Sequence, residues 1–187
     1  AGSAGAGDSH AAKIADLVVD EFADPKWTIL RPEFQCLLEK HVADVGTKVL
    51  VSFGGTDPAG LNHRVGAMLG YALDAEVRIA AGPAVKLEKA GVASVLRDCS
   101  MAEQMCWADL VVTSQGRTVA EAVACGTPVA SVAANERESR HCRLPGVVYL
   151  GLWAAVSDEA LMRTVSRLLD GPALRAEMVR TASASVD

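Results

Sequence analysis

Residues 113–128 read TSQGRTVAEAVACGTP, and their types suit the holding of an anion. Gly116 stands where a β-branched run gives way to a helical pattern, with Ser114, Gln115 and Thr118 setting donors around the helix start. Unpaired N–H groups there, with the positive end of the helix dipole, form a cradle for a pyrophosphate. Glu121 follows about one turn further in, on the face shared with Arg117 or Thr118. A carboxylate at that point is poorly placed for phosphate and well placed to accept from two ribose hydroxyls. Taken alone it is more commonly a surface glutamate, and it is expected to face solvent.

Two other segments carry comparable residues. In SFGGTDPAG (52–60), Gly54 and Gly55 let the backbone approach a ligand, and Thr56 and Asp57 are placed to cap the following helix. In AANERESRH (133–141), Asn135 and Glu136 suit either a helix cap or a sugar contact, while the Glu136/Arg140 and Arg137/His141 spacings also fit a solvated helix face. His63 falls about a turn into a helix whose other face is core, so its spacing from Asp57 does not support a catalytic dyad. Cys125, in an apolar helix end, reads as packing rather than nucleophile.

These residues need a scaffold that brings separate loops to one edge. From about Lys48 onward, short β-branched runs alternate with helical patterns. The runs cover 48–53, 75–80, 93–96, 109–113, 128–132 and 147–150, and near-continuous apolar runs of this length suit parallel strands covered on both faces. Helical spacing marks 59–72, 117–125 and 157–169, the last opening on Ser157 and two acidic residues, and a final helix starts at Pro172. Repeated βα units with right-handed crossovers predict an α/β fold, a doubly wound parallel sheet of about six strands. In such sheets ligands bind outside the carboxyl ends of the strands, where all three segments fall. Further upstream, 1–7 is a run of small residues, and 1–13 reads as a flexible linker. Residues 14–20 read as a strand, 33–46 as a linker helix stopping at Gly46, and 47–187 as the Rossmann-like domain.

Composition narrows the function classes. Of 187 residues half are hydrophobic, which excludes a disordered chain, and a net charge of −5 without a basic run argues against a nucleic-acid surface. No apolar stretch approaches the roughly 18 residues that span a bilayer. Five dispersed cysteines without a CxxC pair, and four histidines without ligand spacing, predict reduced thiols, a cytoplasmic setting and no metal site.

With these segments assembled, the sequence resembles the nucleotide-binding C-terminal domain of the GT-B superfamily. More closely, it resembles the nucleotide-sugar hydrolases of pseudaminic acid biosynthesis and their spore-coat polysaccharide relatives. Four segments carry the likeness: ILRPEF (29–34), VLVSFGGTDP (49–58), residues 113–128, and NERESRH leading to VVYLGL (135–152). The resemblance implies that Glu121, in a pattern running to Gly126 and Pro128, is the ribose ligand. It implies that Ser114, Gln115, Gly116, Arg117 and Thr118 cradle the diphosphate, and that the GGTDP loop faces the sugar. Ala134 stands where such relatives often place a glutamine beside Asn135.

The implied function is the binding of a UDP- or CDP-linked sugar within a hydrolase of nonulosonic acid or surface polysaccharide biosynthesis. Water attack would separate sugar from nucleoside diphosphate. No catalytic residue and no cofactor are expected in this half. The general base would come from an N-terminal half, and the wording of 116–118 and 135–138 is also like domains fused to cytidylyltransferases that make CMP-activated nonulosonic acids. Two alternatives stand beside it: a non-catalytic or degenerate assembly domain of a bifunctional CMP-sugar synthetase, acting through homo-oligomers, and the donor-binding half of a UDP-sugar glycosyltransferase.

Overall fold

The computed structural model describes residues 29–34, 40, 42–141 and 143–184. Six strands form one parallel sheet: β1 (Lys48–Ser52), β2 (Glu76–Ala80), β3 (Ser94–Leu96), β4 (Leu110–Ser114), β5 (Val129–Ala133) and β6 (Val148–Leu152). Their spatial order is β3-β2-β1-β4-β5-β6. Every pairing is parallel, with Val49 opposite both Val77 and Leu110, and Val111 opposite Val129. The chain therefore winds outward from β1 in one direction, returns to β4, and winds outward in the other. The gap between β1 and β4 is the switch point at which such sheets open a crevice.

The helices are α1 (Leu61–Ala72), α2 (Met101–Trp107), α3 (Arg117–Ala124), α4 (Glu136–Ser139), α5 (Asp158–Asp170) and α6 (Pro172–Ser183). Side chains alternate across the strands with a period of two, and the two faces bury separate cores. Val49, Val51, Ile79, Leu110 and Val112 pack with Leu61, Val65 and Leu69 of α1 and Leu161, Val165 and Leu168 of α5. Leu50, Val111 and Val129 pack on the other face with Met105 of α2, Val119 and Val123 of α3, and Phe34. Both faces being covered explains why the strands read as unbroken apolar runs.

Two helix starts are secured by side chains three residues ahead of an acid. Ser100 Oγ accepts from Glu103 N at 3.3 Å at the start of α2, and Asn135 Oδ1 accepts from Glu138 N at 3.0 Å at the start of α4. Neither α2 nor its apolar face follows from the sequence reading above, because seven residues give too short a period. The Ser-x-x-Glu spacing was the available signal.

Of the helix expected over 33–46, residues 35–39 and 41 lie outside the described residues, and the described parts are not α-helical. Pro32–Phe34 form a single 3-10 turn, while Lys40 and residues 42–46 are irregular. Gly46 stops no helix; it lets the chain press against the end of α5. Gly46 N donates to Leu169 O at 3.0 Å, and a Cβ at Gly46 would lie 2.9 Å from Leu169 Cδ2. Arg175, 1% exposed, fastens the same junction by donating to Leu168 O and Ala43 O, each at 2.5 Å. The strand expected at 14–20, the linker at 1–13, and Cys36, His41 and Cys142 lie outside the described residues. Among the described residues no helix is long and apolar enough to cross a membrane.

Candidate functional site

A cavity of about 330 Å³ opens over the carboxyl ends of β1, β2 and β3. Its floor is the strand tips themselves. Thr113 Oγ1 donates to Ser52 O at 2.6 Å, and Ser52 Oγ makes a longer 3.5 Å contact to Ala80 O, so hydroxyl contacts run from β4 across β1 to β2. Gly54 and Gly55 form one wall and residues 80–83 the next. These two loops meet backbone to backbone, for a Cβ at Gly82 would lie 2.3 Å from Gly55 Cα. Gly54 takes a φ of 79°, in the left-handed region that favours glycine, and a Cβ built at Gly54, Gly55 or Gly116 meets nothing within 4 Å. The space beside these three glycines is open.

The opposite wall comes from α3, through Thr118 and Glu121. Glu121 is 4% exposed, which corrects the expectation that it faces solvent. Its cover comes from residues 29–34. Arg31 Nε donates to Glu121 Oε1 at 3.0 Å, and the guanidinium also pairs with Glu33 at 3.2 Å and lies over the Phe34 ring. A carboxylate buried to this degree keeps its charge at low cost only when paired. Arg31 lines the cavity with Glu121. Sequence reasoning missed Arg31, whose partner stands 90 residues away; ILRPEF was the only local signal.

The start of α3 has no side-chain cap. The N–H groups of Arg117 and Thr118 have no intrahelical acceptor by virtue of position, and Arg117 is exposed. Gly116 is extended, with φ −164°, a conformation open to any residue, so its lack of a side chain matches the open space rather than a backbone need. Gln115 is not directed to this space: it is 2% exposed, and Ser131 Oγ donates to its Oε1 at 2.8 Å. Its carbonyl accepts from His141 Nδ1 at 2.8 Å, which leaves Nε2 as the outward ring nitrogen. Ser114 sits half-buried at the end of β4.

The remaining expected residues divide between neighbouring features. Thr56 and Asp57 line a second cavity of about 260 Å³, with Gly60, His63 and Lys86. Asp57 is a cap: Oδ1 accepts from Leu61 N and Oδ2 from Asn62 N, each at 2.8 Å, so both oxygens are engaged by the start of α1. Asn62 Oδ1 in turn accepts from Phe53 N at 3.0 Å, fixing the loop's exit from β1. Asn135 is likewise committed to capping α4, and Glu136 accepts from Ser139 Oγ, through its backbone oxygen at 2.8 Å and its carboxylate at 3.4 Å. Neither lines the larger cavity. Cys125 is buried, its thiol raised well above the usual range by burial, as packing would require.

No family model matches the chain. An uncharacterized protein of Methanocaldococcus jannaschii, MJ1062, is 30% identical over 138 residues, covering 65% of this chain and 28% of that protein. Among solved structures, the glycosyltransferase SnogD from Streptomyces nogalater matches with a TM-score of 0.54 at 17% identity, over 81% of this chain and 43% of SnogD. The calicheamicin glycosyltransferase CalG4 matches with a TM-score of 0.56 at 19% identity, over 80% and 41% of the two chains. The spinosyn rhamnosyltransferase SpnG, in its complex with thymidine diphosphate, matches with a TM-score of 0.57 at 17% identity, over 76% and 43%. The chain thus spans about two-fifths of these enzymes and about a quarter of the archaeal relative. The shared feature is the fold, the Rossmann-like α/β sheet of GT-B glycosyltransferase C-terminal domains.

Proposed function

We propose that this chain is the donor-binding half of a glycosyltransferase-like enzyme and holds a nucleoside diphosphate sugar at the carboxyl ends of β1 to β4. The observation that carries the reading is the buried Glu121 carboxylate in a cavity that it shares with the open backbone of Gly54 and Gly55. Such a carboxylate accepts from the paired hydroxyls of a ribose, while Arg31 beside it supplies a cation for a neighbouring phosphate oxygen. The uncapped N–H groups at the start of α3, with Arg117 and Thr118, take the diphosphate. Ser114 and Gln115 then act behind the cradle as supports. Asn135, Glu136, Thr56 and Asp57 shape the loops on the sugar side. Holding the donor fixes the anomeric carbon for attack and stabilises the departing diphosphate. The likeness to glycosyltransferases supports transfer.

A second reading keeps the same site and makes water the acceptor. The four segments that resemble the pseudaminic acid hydrolases favour it, and with them a place in nonulosonic acid biosynthesis. The two readings bind the same ligand and part at the product: hydrolysis releases free sugar without an added acceptor, and transfer does not.

Calorimetric titration with nucleoside diphosphates tests the site common to both. Saturable binding is expected, weakened about tenfold or more by Glu121→Ala, a loss on the scale of one charged hydrogen-bonding partner. A folded chain that binds no diphosphate at millimolar concentration would sink the reading.

A further inference from the structure

Apart from Arg31, the glycines, Thr118 and Glu121, the cavity has a lining that no expectation addressed. Its surfaces are Ala80, Ala81, Pro83 and Met101, apolar and suited to the faces of a planar ring, and the one charged group there is Asp98. Asp98 takes a φ of 49°, a left-handed conformation that aspartate tolerates better than most residues. Its neighbours are committed elsewhere. Arg97 donates away from the cavity to Val85 O at 2.8 Å and Leu87 O at 2.6 Å, and Ser100 caps α2. The Asp98 carboxylate is exposed and has no hydrogen bond or ion pair among the described residues.

Resting on the nucleoside diphosphate reading above, we infer that Asp98 selects the nucleobase and that the ligand carries an amino-bearing base. A carboxylate only accepts hydrogen bonds. It therefore favours an edge with an exocyclic amine, as in cytosine, guanine or adenine. Uracil and thymine present one N–H between two carbonyl oxygens, and both oxygens face the carboxylate unfavourably. With Glu121 on the ribose and Asp98 on the base, the two carboxylates divide the nucleoside between them, and the cations Arg31 and Arg117 are left for the diphosphate.

The test is a calorimetric series with CDP, GDP, ADP, UDP and TDP on the wild-type chain, Asp98→Ala and Asp98→Asn. At least one amino-bearing diphosphate should bind about tenfold tighter than UDP and TDP. Asp98→Ala should erase that preference while leaving UDP affinity within about threefold. Asp98→Asn, whose amide both donates and accepts and which keeps the left-handed turn, should raise UDP affinity. The three amino-bearing arms then distinguish which base is taken. Equal or tighter binding of UDP and TDP, or a preference indifferent to both variants, overturns the inference and leaves the diphosphate site standing. Binding of no diphosphate at all overturns the site and the inference together.

Discussion

Arg31 Nε lies 3.0 Å from Glu121 Oε1, joining a side chain 44% exposed to one only 5% exposed. The pair ties residues 29–34 to α3, and it makes Glu121 a wall of the cavity rather than a surface group. Its asymmetry sets what each substitution does.

Removing Arg31 leaves Glu121 buried and unpaired, whereas removing Glu121 leaves Arg31 free to turn into solvent. Arg31→Ala should therefore destabilise more than Glu121→Ala. A double-mutant cycle by urea denaturation should return a coupling of about 1 kcal/mol, reduced from that of a fully buried pair by the exposure of Arg31. A coupling indistinguishable from zero would show that the contact does not hold in solution.

Gly116 separates stability from binding. Its extended backbone and open surroundings admit a side chain, so Gly116→Val should leave the melting temperature within a few degrees. The new side chain should occupy the space before α3 and lower diphosphate affinity about tenfold or more, by removing the close backbone approach. Normal affinity in this variant would move the anion away from α3. A large fall in melting temperature would instead make the glycine a packing residue.

Lys40 offers a stability test by pH. Its ammonium donates to Met105 O at 3.1 Å, Thr127 Oγ1 at 2.9 Å and Ala108 O, and burial lowers its pKa from 10.5 to about 8. Between those values the unfolded chain keeps the proton that the folded chain has released. The unfolded state then binds more protons, and stability rises with pH. Against Lys40→Met, the wild type should gain about 1–3 kcal/mol as pH goes from 8 to above 10. Denaturation curves that run parallel for the two proteins across that range would contradict the burial of this charge.

All six strands were legible within one or two residues, most plainly β1, β4 and β5, whose near-continuous apolar runs are buried on both faces. The loops that close the site were less so. Gly54, Gly55, Thr118 and Glu121 announced themselves through local motifs, and the cavity includes them. Gly82 and Asp98 carry no motif of their own, and the sheet's strand order brings them to the same edge as Glu121, while Arg31 reaches it through a contact 90 residues apart in sequence. Asp57, Asn135 and Gln115 show the reverse case. Each looks like a ligand group in sequence, yet each side chain meets a protein partner in the fold: helix N–H groups for Asp57 and Asn135, and the Ser131 hydroxyl for Gln115.

The hydroxyl contacts across the tips of β4, β1 and β2 fix the depth of the cavity independently of what enters it. A substitution at Thr113 would disturb the β4–β1 contact and one at Ser52 the β1–β2 contact, so the floor is a poor place to retune recognition. The walls are different, being single loops hung from those tips. Divergence of ligand preference on this scaffold, natural or engineered, is therefore channelled into the lining loops 54–55, 80–83 and 98–101, with the sheet beneath serving as a constant datum.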